Sequence, residues 1–219
     1  MDFVTRRLGQ ARWLASRAFL RWKIAPDLLS YTDERVQRYY NSRLSDCRFL
    51  LDETHYERPR IEWMLREVRG GSVLEVGAGN GGMTSLLSPL ADRVIALDLC
   101  QEAVEAVRAL ALANVEAVCG FVERYAPPTS FDWVILSEIV EHLRDPAEIL
   151  RRCVTWLKPG GRVLLSTPNG EWESIEHLHE FDMATWCALL GGAGARAVSA
   201  FYIRDGYGKD RWLGGRLEK

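Results

Sequence analysis

The chain has 219 residues, 47% of them apolar and 26% charged, with a formal net charge of -2; that is enough for one domain with a full core and is the composition of an ordinary soluble globule. Arginines interrupt its apolar stretches, so no run approaches the roughly eighteen residues of a membrane span, and the near-neutral total gives no global attraction to nucleic acid. Five cysteines, Cys47, Cys100, Cys119, Cys153 and Cys187, include no C-x-x-C pair, which argues against a zinc knuckle or a disulfide framework and for a reducing, cytoplasmic compartment.

The charge is uneven: residues 1–25 carry six Lys/Arg against one acid, leaving the remainder at -7. From Phe3 to Trp22, apolar side chains recur at three- and four-residue steps through Leu8, Ala11, Leu14, Ala15, Ala18 and Phe19, with Arg6, Arg12 and Arg17 on the other side. This predicts an amphipathic basic helix, suited to packing on the rest of the chain, to a homodimer contact, to a lid, or to an anionic membrane surface, an acidic carrier or RNA. Arg12, Arg17 and Arg21 break up any signal-peptide core. Pro26 ends that element, and Tyr31-Thr32-Asp33-Glu34 starts a helix carrying Val36, Tyr39, Tyr40 and Leu44. A polar loop, Asp52 to Arg60, brings His55 and Tyr56 before a helix through Ile61, Met64, Leu65 and Val68, closed by Gly70-Gly71. Residues 1–60 read as an N-terminal helical extension or lid, and residues 61–219 as the main domain.

The main domain opens on V-L-E-V-G-A-G-N-G-G-M-T, Val73 to Thr84, an apolar strand that empties into Gly77, Gly79, Gly81 and Gly82 and then into a helix start. Glycine in such a turn supplies positive φ and leaves the backbone open to a nucleotide-sized ligand. Gly77-x-Gly79-x-x-Gly82, with Asp98 21 residues after Gly77, also fits a dinucleotide fingerprint, so a dehydrogenase remains open here. Glu75 points away from it, because a carboxylate beside the turn repels a pyrophosphate and welcomes a cationic amino-acid ligand. Further strands are predicted at Val94–Leu97, Val115–Cys119, Trp133–Leu136, Arg162–Thr167 and Ala197–Ile203, with a short last one at Arg211–Leu217. Helices are predicted over Gln101–Leu112, Glu148–Leu157 and Asp182–Leu190, the last with Asp182 as its cap. The alternation predicts an α/β fold whose ligands sit at the carboxyl ends of the strands, where Gly77, Asp98, Gly120-Phe121, Ser137-Glu138 and Thr167 fall.

E-V-G-A-G-N-G-G with V-I-A-L-D-L, then F-D-W-V-I-L-S-E-I-V-E-H-L-R-D-P (Phe131 to Pro146) and L-K-P-G-G-R-V-L-L-S-T-P-N (Leu157 to Asn169), resemble in order and spacing the motifs of class I S-adenosylmethionine (SAM) dependent methyltransferases; the likeness runs over residues 55–205. It implies a Rossmann-like, doubly wound seven-stranded sheet, mostly parallel with an antiparallel last strand. It also implies SAM as cofactor, held by Glu75, Gly77, Ala78, Gly79, Asp98, Leu99, Gly120, Phe121 and Ser137, and a segment before residue 61 lying across the mouth of the site, which makes His55 and Tyr56 pocket candidates, with an exposed loop as the alternative. Where the family often has G-D after its third strand this chain has Gly120-Phe121, so adenine contact falls to backbone, to the Phe121 ring or to Glu123.

SAM supplies the electrophile, and the chain must supply a base, or a metal that acidifies the acceptor. Glu138, Glu141 and His142, at i, i+3 and i+4, are predicted on one face of a helical turn after the fourth strand. Two carboxylates and an imidazole there suit either general-base work or a divalent cation such as Mg²⁺ or Mn²⁺. E-H-L-H-E-F, Glu176 to Phe181, brings two histidines that alternate in an extended loop, so only one faces the site. These features resemble the ubiquinone-biosynthesis O-methyltransferases and, more weakly, the small-RNA 3′-terminal 2′-O-methyltransferases. The second resemblance implies Glu138, Glu141, His142 and His179 as metal ligands; the H-x-x-E-F pattern of small-molecule enzymes instead implies His177 beside His142, Glu138 and Glu141 as catalytic. An acidic main domain, no room for a separate RNA-binding module and dispersed tryptophans weigh against RNA; of the tryptophans, Trp172, between the fifth strand and the histidines, is the candidate to touch an acceptor, with core packing as the alternative. The reading is therefore methyl transfer to a small molecule, at oxygen before nitrogen, with a non-catalytic SAM-binding partner subunit as the alternative of a different class.

Overall fold

The structure, a computed structural model, describes residues 33–42, 44, 51–170 and 177–219. The predicted basic helix at 3–22, Cys47, Trp172 and Glu176 lie outside these. Helix α1 is Asp33–Asn41 and α2 is Pro59–Glu67. Then β1 (Ser72–Val76), α3 (Gly82–Leu87), β2 (Arg93–Asp98), α4 (Gln101–Ala109), β3 (Val115–Cys119) and β4 (Phe131–Ser137) alternate. A 3₁₀ turn at Val140–His142 leads to α5 (Pro146–Trp156), β5 (Leu157–Pro168), α6 (Met183–Gly191), β6 (Ala197–Arg204) and β7 (Asp210–Glu218).

The seven strands form one sheet in the order β3-β2-β1-β4-β5-β7-β6. The first five run parallel, and β7 enters antiparallel between β5 and β6. The strand order reverses between β1 and β4, which places the topological switch point at their carboxyl ends. Both faces of the sheet are apolar, as a parallel sheet covered on two sides requires. On one face Val73, Val94, Ile135 and Leu164 meet Ile61, Met64 and Val68 from the α2 segment and Met83 and Leu87 of α3. On the other, Leu74, Ile95, Leu136 and Leu165 meet Cys153 and Val154 of α5 and Trp186 and Leu190 of α6. Among the described residues no helix is long and apolar enough to cross a membrane.

Several boundaries move for local reasons. Helix α4 stops at Ala109, short of Leu112, because Ala111 takes φ 52 and ends the helical path. Strand β5 starts at Leu157: Leu157 pairs with Phe131, and a register shift before Trp133 absorbs the Lys158–Gly161 turn, where Gly160 has φ 77. Helix α5 starts at Pro146 because Asp145 caps it, accepting a hydrogen bond from the Glu148 N–H at 2.9 Å. Asp182 caps α6 as predicted, in a reciprocal capping box with Thr185.

Candidate functional site

The β1–α3 turn is held open by glycines and lines a cavity. Gly77, Gly79 and Gly81 have φ of 77, 52 and 82, and the Gly77 and Ala78 N–H groups both donate to the Leu97 carbonyl at 2.8 and 3.2 Å. Asp98, at the end of β2, ties the turn down: its carboxylate accepts from Gly79 N–H at 2.9 Å and from Cys100 N–H at 2.8 Å. Burial pushes the Asp98 carboxyl up, and those N–H donors pull against it. Glu75 points from β1 into the helix-covered face of the sheet, where Thr84 Oγ1 donates to it at 2.7 Å. Desolvation pushes its carboxyl from 4.5 to about 8.

At the end of β4 the chain turns sharply. Glu138 takes φ 57, a left-handed conformation uncommon outside glycine, and its N–H donates to the Ser166 carbonyl at 3.1 Å. Its carboxylate accepts from Ser166 Oγ at 2.9 Å, and burial raises it to about 8, with Arg60 working in the opposite direction. Only Val140, Glu141 and His142 form the helical turn, so Glu138 does not share a helix face with Glu141 and His142 as the i, i+3, i+4 spacing predicts. Glu141 is buried; Thr167 Oγ1 donates to its Oε2 at 3.0 Å, while its Oε1 has no hydrogen-bond partner. Burial raises this carboxyl to about 7.

The Glu141 backbone also arranges the histidines. Its carbonyl accepts from the Leu178 and His179 N–H groups at 2.8 and 3.1 Å, docking the 177–179 segment beside the turn. His177 is buried, with its ring 5.0 Å from that of His142, whereas His179 turns away, Nε2 lying 2.9 Å from the Leu143 carbonyl and its ring stacking on Phe181. Glu141, His142 and His177 each offer one ligand atom within 4.8 Å of the others, the group of three among the described residues that could hold a metal ion; Glu138 and His179 stand outside it.

These elements enclose a cavity of about 520 Å³. Glu75, Gly77, Ala78, Gly79, Asp98, Leu99, Gly120, Phe121 and Ser137 all line it, as do Glu138 and His142. Glu123 is also on its wall, and Arg124 lies 4.7 Å over the Phe121 ring. His55 and Tyr56 do not line it; their neighbours Glu57 and Arg60 do. Sequence reasoning missed Arg60, a buried cation whose Nη1 donates to Ser137 Oγ at 2.6 Å and whose Nη2 meets Glu57 Oε2 at 3.2 Å. Sequence reasoning also named no residue of α1 as part of the site: Val36 and Tyr40 line the cavity, Gln37 Nε2 donates to the Leu99 carbonyl at 2.6 Å, and the Tyr40 ring lies 6.0 Å from that of His142.

Residues 40–198 match the family described as a methyltransferase domain. A ubiquinone biosynthesis O-methyltransferase of Xanthomonas euvesicatoria pv. vesicatoria (strain 85-10) is 40% identical over 108 residues, 47% of this chain and 45% of that protein. The chain thus spans about half the length of the curated relatives it matches. Among solved structures, a Burkholderia thailandensis 1,6-didemethyltoxoflavin-N1-methyltransferase with bound 1,6-didemethyltoxoflavin and S-adenosylhomocysteine aligns at TM-score 0.68, with 22% identity, covering 84% of this chain and 87% of that one. The N-methyltransferase NodS of Bradyrhizobium japonicum WM9, in complex with S-adenosylhomocysteine, aligns at 0.65, with 18% identity, covering 84% and 97%. At these identities the structural likeness establishes the fold, and the sequence match, which takes in the glycine turn, the Glu138–His142 elbow and the strand β5 block, establishes the family: the chain belongs to the methyltransferase domain family.

Proposed function

We propose that the chain transfers the methyl group of SAM to a hydroxyl oxygen of a small molecule. The observation that carries this is the single cavity on which the nine expected cofactor residues meet Glu138 and His142 across the β1/β4 switch point. In this reading Asp98 receives the ribose hydroxyls, Phe121 faces adenine and Glu75 attracts the α-amino group. The acceptor lies over the end of β4, against Tyr40, Ile139 and Leu143. The segment before residue 61 acts as a lid, supported by the contacts of α1 with Leu99 and His142. Relatives bearing the name O-methyltransferase support oxygen over nitrogen. A cytoplasmic location goes with this reading, supported by the free thiols Cys100, Cys119, Cys153 and Cys187.

In the reaction the acceptor oxygen attacks the methyl carbon in line with the C–S bond; the C–O bond forms as the C–S bond breaks, S-adenosylhomocysteine leaves, and the acceptor proton passes to a base. His142 is the base in this proposal, and the Glu141 carboxylate, its Oε1 3.9 Å from His142 Nε2, stabilises the imidazolium that forms. Glu141, His142 and His177 also fit a divalent cation such as Mg²⁺ or Mn²⁺, because the buried Glu141 Oε1 lacks a partner and three donor atoms converge. Such an ion would lower the pKa of the acceptor hydroxyl. The test is transfer of label from methyl-labelled SAM to a panel of hydroxyl- and amine-bearing small molecules. Label in an ether product supports the proposal, and label confined to amines refutes oxygen transfer. Loss of turnover on chelation, restored by Mn²⁺, assigns the triad to a metal. Turnover that survives chelation but not His142→Ala assigns His142 to base catalysis.

A further inference from the structure

Arg60 is the buried cation of the cavity wall. It is 5% exposed, while Arg124 and Arg144, the other cations lining the cavity among the described residues, are exposed to screening solvent. The guanidinium is held from two directions, by Ser137 Oγ at the carboxyl end of β4 and by Glu57 Oε2 on the segment before α2. That is the β1/β4 switch point, where ligands of an open parallel sheet sit, and the Glu138 and Glu141 carboxyls both feel the charge of Arg60. A fixed cation beside a ligand whose own charge differs between substrate and product discriminates between the two, because SAM carries a sulfonium cation and S-adenosylhomocysteine a neutral thioether.

We propose that Arg60 is a specificity-determining residue for the charge of the cofactor: it holds down the affinity for the sulfonium relative to the thioether, and its partner Glu57 acts in the opposite sense. The inference rests on the SAM reading of the cavity. Its consequence for the reaction is direct, since positive charge leaves the sulfur as the C–S bond breaks, and a cation placed there opposes the bound ground state more than the transition state. In this proposal Arg60 acts through its charge and neither takes nor gives a proton.

Calorimetric titration of the whole chain with SAM and, separately, with S-adenosylhomocysteine, in the absence of any acceptor and at low salt, reads the ratio of the two affinities. In Arg60→Met the ratio of SAM to S-adenosylhomocysteine affinity rises by about tenfold, the scale of one unit charge about 10 Å away at the effective dielectric of a protein site. Arg60→Lys, which keeps the charge and loses the fork, leaves the ratio within about twofold, and Glu57→Gln lowers it. A merely structural role weakens both ligands alike and leaves the ratio in place. An unchanged ratio in Arg60→Met, or a shift of the same sign in Arg60→Met and Glu57→Gln, overturns the proposal; if Arg60→Met does not fold, a ratio unmoved by Glu57→Gln does so. Failure of the wild-type chain to bind either compound defeats instead the SAM reading on which the proposal stands.

Discussion

Glu75 is a carboxyl kept where a carboxylate is expensive, and replacing it with the isosteric amide separates its binding role from its effect on stability. It is 3% exposed on an apolar face of the sheet, with Thr84 Oγ1 as its hydrogen-bond donor, and burial raises it from 4.5 to about 8. Because the folded value lies above the unfolded one, its contribution is fully present below 4.5 and is lost as pH rises through about 8. At about 1.4 kcal/mol per pH interval of one, that gap withdraws about 3–5 kcal/mol of stability on the alkaline side. The amide in Glu75→Gln is neutral throughout and still offers Thr84 an acceptor oxygen. Thermal melts across this range are therefore expected to coincide in acid and to separate upward, the variant melting about 6–20 °C higher in alkali, at about 2–4 °C per kcal/mol for a chain of this size. Glu138 and Glu141 slope both curves in the same direction, so the difference between them isolates Glu75. The same variant is expected to bind S-adenosylhomocysteine about tenfold or more weakly, having lost a charge-assisted hydrogen bond to the amino group. Parallel melting curves for the two proteins at every pH refute the reasoning.

Gly77→Ala forces φ 77 on a residue with a side chain and sets its Cβ 2.0 Å from Ile139 Cδ1. It is expected to cost about 1–2 kcal/mol in denaturant unfolding and to weaken S-adenosylhomocysteine binding in calorimetry. Trp186 is fully buried between α6 and the sheet, its Nε1 donating to the Gly214 carbonyl at 3.0 Å. Trp186→Ala is expected to lose about 3–5 kcal/mol by the same unfolding measurement, with most of that loss avoided in Trp186→Phe.

The wall of the cavity where cofactor residues are expected was legible because a short stretch of chain carries it. Gly77, Gly79 and Asp98 sit at strand ends that periodicity alone locates, and the cavity collects them with Gly120, Phe121 and Ser137. The opposite wall depends on residues far apart in sequence. Nothing along the chain distinguishes Arg60 from the other arginines; its place is set by a partner 77 positions away, Ser137. Helical spacing misplaced Glu138, because the strain of φ 57 at the strand end breaks the turn before it starts. Alternation between His177 and His179 showed that they diverge, and the backbone bonds to the Glu141 carbonyl are what put His177 next to His142. The long β5 was hidden by Pro159-Gly160-Gly161, residues that read as a loop and are here a bulged lead-in to the strand.

Everything proposed above requires that the cavity at the ends of β1, β2 and β4 bind SAM. Calorimetry of the purified chain with S-adenosylhomocysteine tests it most directly. One molecule is predicted to bind per chain, and in Asp98→Ala, which removes both the proposed ribose partner and the acceptor of the Gly79 N–H, the affinity is predicted to fall by at least about tenfold while the protein still melts cooperatively. No heat of binding to the wild-type chain, or equal binding by a folded Asp98→Ala, would contradict the account.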